Sequence, residues 1–313
     1  MKIYNSIDDF SSEKNTIITI GTFDGVHKGH KTIITRLEEI AKKNGLASVV
    51  LTFDPHPRHV IYPDDQQLRL IHTIEEKADA LSKTKLQNLI IHRFTKEFSR
   101  TKSVNFIRDI LVTKLNMKHM VVGFDHQFGK NREGTFDNLV ELSELYDFKI
   151  EKIEPQNIAG VTISSTKIRN AVLCGDINKV NSYLSSNFSI KGRVIKGNGL
   201  GGKIGFPTAN IEVSNKWKIL PKDGVYAVKV LIDEKYHYAM LNLGNRPSIY
   251  DNSFVIETHL FNFNQKIYGL ELKVEFILRI RDERKFSSLE KLKAQIKIDK
   301  KRCLDIFNLE TEV

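Results

Sequence analysis

The stretch Gly21-Thr-Phe-Asp-Gly-Val-His-Lys-Gly-His30 decides the fold of the N-terminal half. It follows an apolar run, Thr16–Ile20, that predicts a buried strand, and it precedes Lys31–Lys43, whose apolar residues recur at helical spacing. Where a strand turns into a helix, free backbone N–H groups and the positive end of the helix dipole converge, so the turn predicts a phosphate site. His27 and His30 lie three residues apart and can contact one phosphate chain.

Length and composition limit the class of protein. The 313 residues suggest two domains or one large one, and a hydrophobic fraction of 41% allows sizeable cores. No apolar run approaches the roughly 20 residues that cross a bilayer, and the N-terminus lacks a signal-peptide pattern, so we expect a cytoplasmic protein. Cys174 and Cys303 are isolated, which predicts neither a metal site nor a disulfide.

The net charge of +10 raises the question of nucleic-acid binding. The positive charge is spread along the chain in short clusters such as Lys300-Lys301-Arg302, with no aromatic residues between them. This pattern favours solvated faces over a nucleic-acid interface. We therefore expect small-molecule substrates, and neither nucleic acid nor a membrane, as partners; a homo-oligomer is compatible with the sequence.

The first half alternates between strand and helix patterns, which predicts an α/β fold with a parallel sheet and helices on both faces. The predicted strands are Thr16–Ile20, Ala47–Phe53, Leu89–His92, His119–Val122 and Phe148–Ile153. The predicted helices are Lys31–Lys43, Ile74–Thr84, Val104–Leu115 and Asn138–Tyr146, with Ser103 and Asp137 as N-caps of the last two. Ligands of such sheets bind at the carboxyl ends of the strands, where Gly21–His30 falls.

The pattern changes after a helical stretch, Ser165–Ser186, and we place the domain boundary between residues 186 and 187. Residues 1–186 form the first predicted domain and residues 187–313 the second. The second domain has five strand patterns separated by turn residues, namely Ser189–Ile195, Val225–Ile232, Tyr236–Leu243, Val255–Phe263 and Leu272–Ile280. They predict an antiparallel barrel or sandwich, closed by a helix from Ser288 to about Asn308.

Three more polar segments follow predicted strands or open a helix in the first half. In Thr52-Phe-Asp-Pro-His-Pro57, two prolines fix the directions of Phe53 and His56, although a rigid strand exit alone would look similar. The loop Gly123-Phe-Asp-His-Gln-Phe-Gly129 and its extension offer Asp125 and Arg132 to a ribose or phosphate; an ordinary turn-rich loop is the alternative.

The last of these segments is Ile163-Ser-Ser-Thr-Lys-Ile-Arg169. Ser164 or Ser165 would cap a helix whose first N–H groups suit a phosphate, and Arg169 adds a cation one turn later. For this segment, the alternative is an ordinary N-cap without a ligand. For the turn Gly21–His30, the alternative is one histidine in a loop and one that caps the helix. A parallel sheet brings such segments to one edge, which favours a shared site.

These four segments resemble the FMN adenylyltransferase module of the bacterial bifunctional riboflavin kinase/FAD synthetase family. The matching elements are Gly-x-Phe-Asp-Gly-x-His-x-Gly-His, Phe-x-Pro-His-Pro, Gly-x-Asp-Phe-x-Phe-Gly and Ser-Ser-Thr-x-x-Arg, in the family order. One departure is His126, where phenylalanine is usual. The resemblance implies a Rossmann-like nucleotidyltransferase sheet in which the FMN phosphate attacks the α-phosphorus of ATP and pyrophosphate leaves.

The resemblance also implies roles for single residues. His27 and His30 would act catalytically on the ATP phosphates, and Phe23 would contact ATP or the flavin. The full set expected to bind ATP is Gly21, Phe23, His27, His30, Asp125, Arg132, Ser165, Thr166 and Arg169. The set expected to bind the flavin is Asp24, Phe53, Pro55 and His56.

The second half has its own dense segment, Gly192–Asn210, whose glycines would let backbone N–H groups hold a phosphate chain. It lacks the Gly-Lys-Ser/Thr order of a Walker motif, and a flexible loop entering a turn is the alternative. Thr208 and Asn210 present neutral oxygens two residues apart, which suit Mg²⁺ together with substrate phosphates. Glu257 lies on an apolar strand, where burying a carboxylate is costly unless it is paired or has a chemical role. Beside a substrate hydroxyl it would be a general base. The alternative is a glutamate that faces solvent.

This half resembles the riboflavin kinase module of the same family, a small antiparallel barrel. The shared elements are Gly-Phe-Pro-Thr-Ala-Asn, Gly-Val-Tyr, Asn-x-Gly-x-x-Pro, Glu-Thr-His and Arg-x-Glu-x-x-Phe. Carried over, Thr208 and Asn210 hold Mg-ATP, and Glu257 takes the proton of the terminal ribityl hydroxyl. The remaining residues expected to bind ATP are Gly197, Gly201, Lys203 and Pro207. Those expected to bind the flavin are Arg281, Glu283 and Phe286.

Several positions depart from the kinase pattern. The family usually has arginine at Gly202 and often histidine at Lys196, while Asn262 and Ser248 replace a usual aspartate and threonine. Losing an arginine beside the ATP phosphates would weaken binding or rate, and Lys203 lacks the bidentate fork of an arginine. Three hypotheses follow: a bifunctional enzyme, an FAD synthetase with an impaired kinase module, and a flavin- or nucleotide-binding regulatory protein. The complete catalytic set favours the first.

Overall fold

A computed structural model gives the fold and describes residues 1–65, 67–124, 128–129, 133–155, 157–158, 161–197, 199–245 and 254–308. The chain divides into two compact units, Met1–Ser165 and Thr166–Val313. The first contains a parallel sheet of six strands, and the second contains a closed antiparallel barrel of six strands. The predicted fold class is therefore confirmed.

A parallel sheet organises the first unit. Its strands β1 to β6 are Lys2–Tyr4, Thr16–Ile20, Ala47–Asp54, Asn88–Arg93, Met117–Gly123 and Lys149–Ile153, and a hairpin of β7 (Asn157–Ile158) and β8 (Val161–Thr162) follows. The spatial order is β1-β4-β3-β2-β5-β6. From β2 the chain adds β3 and β4 on one side and then returns to add β5 on the other. Such a reversal opens a crevice at the carboxyl ends of the strands, and Gly21–His30 follows β2 at this point.

Helices cover both faces of this sheet. The helices α1 to α6 are Lys28–Asn44, Pro57–Ile61, Ile74–Ser82, Lys96–Ser99, Ser103–Asn105 and Phe136–Leu145, joined by a 3-10 helix, Ile7–Asp9, and a π-helix, Phe106–Lys114. Alternate residues of β2 enter different cores: Ile18 packs with Leu111 of the π-helix, and Ile17 packs with Leu37 of α1. β2 is thus buried on both sides, as its uninterrupted apolar sequence predicts.

The second unit contains a barrel and helices, the first of which begins at Ser165, the last residue of the first unit. Its strands β9 to β14 are Ser189–Ile195, Ala209–Glu212, Gly224–Ile232, Lys235–Asn245, Phe254–Leu260 and Glu271–Arg281. Its helices α7 to α10 are Ser165–Cys174, Ile177–Leu184, Leu200–Lys203 and Leu289–Ile306. The strand order is β10-β13-β12-β11-β14-β9, and the barrel closes because β9 also pairs with β10. Of the two antiparallel architectures that the sequence left open, the structure has the barrel.

Large aromatic side chains fill the barrel. Tyr226, Phe276 and Phe188 are fully buried, with the Phe276 ring 5.2 Å from that of Tyr226 and 5.8 Å from that of Phe188. Outside the barrel, Cys303 and Leu304 of α10 join a core cluster of side chains from β11, β12 and β14. The closing helix therefore covers one side of the barrel wall, and Ser288, where the sequence predicts the helix to start, is its N-cap.

The barrel core gives a first prediction. Phe276→Ala should destabilise the second unit by about 3–5 kcal/mol, since truncating a buried phenylalanine leaves a cavity. The single tryptophan, Trp217, lies in this unit, so its fluorescence during urea unfolding reports on the barrel. Tyr268→Ala, at an exposed side chain, is the control and should change stability by less than about 0.5 kcal/mol. Equal midpoints for the two variants would contradict the assigned core.

Candidate active sites

The turn after β2 has a strained backbone. Phe23, Val26 and Gly25 have φ values of 44°, 41° and 91°. A β-branched residue such as Val26 rarely adopts a positive φ, and such strain costs about 1–3 kcal/mol per residue. Phe23 and Val26 are both buried in the core that includes α1, so packing offsets the strain. The turn is held in one shape at the carboxyl end of β2.

Asp24 anchors this turn from inside. Its carboxylate is 1% exposed and accepts hydrogen bonds from the backbone N–H groups of Ile71 and His72, each at 3.0 Å. Ser165 Oγ donates to the Asp24 carbonyl at 2.9 Å, which joins the first and fourth sequence segments. The observed role of Asp24 is to fix the turn, and its contact with a flavin stays a prediction.

His27 caps α1, which explains why this helix begins at Lys28 and not at the predicted Lys31. Its Nδ1 accepts the backbone N–H of His30 at 3.3 Å, and the two rings stack with centroids 3.6 Å apart. An accepting Nδ1 assigns the ring proton to Nε2 in the neutral tautomer. The Nε2–H group of His27 is therefore a hydrogen-bond donor, the kind of group that a phosphate oxygen accepts from.

His30 is the second histidine of the turn. Its Nδ1 is buried and has no hydrogen-bond partner among the described residues, while its ring lies edge-on to Phe23 at 5.1 Å. Burial lowers the pKa of His30 well below its usual value, and nearby positive charge, including that of Lys77, lowers it further. His30 is therefore neutral at neutral pH. A buried ring nitrogen without a partner indicates a place for a ligand.

The second segment lies at the end of β3, next to β2. The Phe53 ring packs against Phe94 at 5.4 Å and Phe98 at 5.7 Å. His56 caps α2, its Nδ1 accepting the Arg58 N–H at 3.2 Å, and the Asp54–Pro55 peptide is cis. The structure thus places this segment and the turn at one edge of the sheet.

The other two segments are described only in part. Asp125, His126 and Arg132 lie outside the described residues, so their predicted roles are untested. Phe128 is buried, and a Cβ at Gly134 would lie 2.5 Å from its ring. Ser165 begins α7 in the first unit, whereas Thr166 and Arg169 belong to the second unit.

In the barrel, three polar residues form a row across neighbouring strands. Asn210 of β10 pairs in register with Glu257 of β13, which pairs in turn with Asn242 of β12. Directly opposed residues place their Cβ atoms about 4.5–5.5 Å apart on one face. Asn210 is buried and Glu257 is half-buried. The predicted metal ligand and the predicted base are therefore neighbours.

The glycine loop closes over this row. A Cβ at Gly197 would lie 2.0 Å from Asn210 Nδ2, and one at Gly201 would lie 2.4 Å from the Phe206 carbonyl oxygen and 3.1 Å from Thr208 Oγ1. Both positions therefore require glycine. The His259 ring donates from Nδ1 to the Pro207 carbonyl at 2.8 Å, which ties the segment before Thr208 to β13. Lys203 lies on α9, and its side chain is outside the described part.

The predicted flavin residues of the barrel have partners within the protein. Arg281 donates from Nε and Nη2 to the Asp299 carboxylate at 2.7–3.0 Å, and its guanidinium carbon lies 5.9 Å from the Phe286 ring centroid. The Glu283 carboxylate lies against Gly244, where an added Cβ would meet it at 2.1 Å. The Arg281–Asp299 pair joins β14 to α10 beside the row of polar residues.

Sequence reasoning missed Lys77 and Asp299, and it gave Asn242 no role beyond its place in the Asn-x-Gly-x-x-Pro element. Lys77 lies four residues before the buried Leu81, and Asp299 lies four residues before the buried Cys303, so each falls on the apolar face of its helix. A charged residue on an apolar face is a signal that a helical projection would have found. Only the strand register shows that Asn242 lies opposite Glu257.

Two family models match separate parts of the chain. The FAD synthetase model matches residues 9–167, and the riboflavin kinase model matches residues 184–307. Two relatives are each 36% identical to this chain. Both are named bifunctional riboflavin kinase/FMN adenylyltransferase, and they come from Bacillus subtilis (strain 168) and Escherichia coli (strain K12). The alignments cover 95% of this chain and 94% of the first protein, and 99% of both chains for the second.

The chain belongs to the bifunctional riboflavin kinase/FMN adenylyltransferase family. A solved structure from Streptococcus pneumoniae, described as a macrolide-efflux protein, is also similar, with a TM-score of 0.87 and 30% identity over 96% of this chain and 97% of that one. In this chain, no helix among the described residues is long and apolar enough to span a membrane.

Gly202 is the main departure of this family member from the kinase pattern. A Cβ at this position would meet no atom within 4 Å, and its φ is not in the left-handed range. Neither packing nor backbone geometry therefore requires glycine here. The loop therefore has room for a Cβ at Gly202, in contrast to Gly197 and Gly201. Ser248, another departure, lies outside the described residues.

The glycine loop gives the second prediction. Gly197→Ala should lower kcat/KM for FMN formation from riboflavin by roughly 10- to 100-fold, because the new methyl group displaces the Asn210 amide and small misplacements of positioning groups have effects of this size. Gly202→Ala is the matched control and should keep the rate of the unaltered protein. The measurement is FMN formation with Mg-ATP, followed by chromatography. A loss of similar size in both variants would contradict the role assigned to the glycine loop.

Proposed function

We propose that the chain converts riboflavin to FMN in its C-terminal domain and FMN to FAD in its N-terminal domain, using ATP in each step. The observation that carries the proposal is the presence of both family domains in one chain whose relatives, matched nearly end to end, are named for both activities. An FAD synthetase with an impaired kinase module is not favoured, because the kinase domain is matched over its own length and includes Thr208, Asn210 and Glu257.

In the N-terminal domain, an oxygen of the FMN phosphate attacks the α-phosphorus of ATP. A new P–O bond forms, the bond from the α-phosphorus to the bridging oxygen breaks, and pyrophosphate leaves. A phosphate monoester is largely ionised at neutral pH, so the protein supplies position and charge neutralisation and no base. His27 and His30 donate to the ATP phosphates, and Ser165, Thr166 and Arg169 serve them from the start of α7.

In the C-terminal domain, Glu257 accepts the proton of the terminal ribityl hydroxyl. The hydroxyl oxygen attacks the γ-phosphorus, and ADP leaves with the bridging oxygen. Thr208 and Asn210 would hold Mg²⁺ with ATP, since both offer neutral oxygens beneath a glycine loop that leaves no room for a Cβ at Gly197. The bound ion would neutralise the phosphate charge. Arg281 positions β14 against α10, and Glu283 and Phe286 remain the proposed flavin contacts.

The proposed domain boundary stays between residues 186 and 187, which keeps Ser165–Arg169 with the other adenylyltransferase segments. Packing groups the chain differently, because α8 contacts the barrel through Asn181, whose amide donates to the Phe276 carbonyl at 2.9 Å. Residues 168–183 lie between the two family matches; they include Arg169 of the adenylyltransferase motif and belong to the unit that contains the barrel. We place the protein in the cytoplasm.

Two variants test whether the sites are separate. Glu257→Gln should abolish FMN formation from riboflavin and leave FAD formation from FMN intact, because only the kinase step needs a base. His30→Ala should do the reverse, with a loss of at least about 100-fold in adenylyl transfer, comparable to losing one transition-state donor. Each activity is measured with its own flavin substrate and Mg-ATP. Loss of both activities in either soluble variant would contradict the two-site proposal.

A further inference from the structure

Lys77 is a buried cation beneath the first site. It lies in α3, is 5% exposed, and falls on the helix face that packs into the first unit. Lysine is almost never buried to this extent unless its charge is paired. Burial without a close counter-ion is costly, so a lysine in such a place needs an explanation beyond packing.

The ammonium group of Lys77 is only partly satisfied. Within the part of the chain that the structure describes, Nζ has one hydrogen-bond partner, Thr52 Oγ1 at 3.2 Å, and no carboxylate within 4.0 Å. An ammonium group has three donors, so two of them have no partner here. The Asp24 and Asp54 carboxylates act on Lys77 from a longer distance and favour its charged form. The ammonium group can therefore donate further hydrogen bonds to an anion and stabilise its negative charge.

A short chain of contacts links Lys77 to the phosphate turn. Thr52 Oγ1, which accepts from Lys77, donates to the Thr22 carbonyl of the turn at 3.3 Å. The charge of Lys77 is also close enough to His30 to lower the pKa of that ring. His30 Nδ1 is itself buried and unpartnered among the described residues. Among the described residues, the Lys77 ammonium and His30 Nδ1 of the turn therefore both have unused hydrogen-bonding capacity.

We propose that Lys77 is a positioning residue for adenylyl transfer: its positive charge holds the turn Gly21–His30 in the form that receives ATP and offsets part of the phosphate charge. The proposal rests on the function proposed for that turn. The alternative is a lysine that only fills the core between α3 and β3. The two differ in whether charge, or merely side-chain volume, matters at this position.

The protonation of Lys77 makes the proposal testable by pH. Burial lowers the pKa of Lys77 to about 8, and the Asp24 and Asp54 carboxylates oppose that shift. The other titratable groups near the turn are His27, His30 and His72, and burial lowers the pKa of His30 well below its usual value. Lys77 is therefore mostly charged at pH 7 and loses its charge as the pH rises through about 8, so FAD formation should fall over that range.

The experiment compares Lys77→Met and Lys77→Arg with the unaltered full-length protein. For each, kcat and KM for FAD formation from FMN are measured between pH 6.5 and 9.5, and FMN formation from riboflavin in the same sample reports on folding. Lys77→Met should lose roughly 10- to 100-fold in kcat/KM at pH 7, the effect expected for a hydrogen-bonded charge, and keep the kinase activity. Lys77→Arg should recover most of the activity and lose the alkaline fall, since arginine stays charged.

Lys83→Met is the matched control. Lys83 follows α3, its side chain is 63% exposed, and its loss also removes one positive charge from the unit. This variant should keep both activities and the alkaline fall.

Three results would overturn the proposal. One is a Lys77→Met protein that forms FAD within about threefold of the unaltered rate. Another is a fall in FAD formation near pH 8 that persists in Lys77→Arg. This second result tests the proposal even if Lys77→Met loses both activities. The third is absence of FAD formation from FMN in the unaltered protein, and that result is distinct because it removes the proposed function itself.

Discussion

The buried carboxylate of Asp24 is the interaction on which the N-terminal site depends. It accepts two backbone N–H groups from the segment before α3, while its own carbonyl accepts Ser165 Oγ. A carboxylate taken out of water must find such donors, so the chain closes around it. The strained turn, the cap on α1 and the start of α7 are all fixed by these few bonds. The geometry proposed to bind phosphate therefore depends on hydrogen bonds that Asp24 makes inside the fold.

The two sites solve one problem with different backbones. Both must hold a phosphate chain close to the main chain and put a cation or donor near the transferred group. The parallel sheet does so at the reversal of its strand order, where a turn, a helix start and buried histidines converge. The barrel has no such edge, and it uses a glycine loop seated on Asn210 and Thr208 beside a cross-strand row that includes Glu257.

The sequence predicted the fold class and the main segments of both sites because strand and helix periods, glycine positions and histidine spacing are local. It did not resolve barrel from sandwich, since only the pairing of β9 with β10 closes the barrel. It missed β1 and the β7–β8 hairpin, which are too short to show a period, and it assigned the α6 cap to Asp137, whereas Thr135 forms a capping box with Asn138. Lys77 and Asp299 depend on three-dimensional burial.

The central claim is that one chain carries flavin through two ATP-dependent steps at separate sites. The most direct measurement supplies the purified protein with riboflavin and Mg-ATP and quantifies FMN, FAD, ADP and pyrophosphate over time. FMN should appear as a transient and FAD as the end product, with equal amounts of ADP and pyrophosphate for each FAD formed. FAD formation from added FMN, with no FMN or FAD formed from riboflavin, would contradict it.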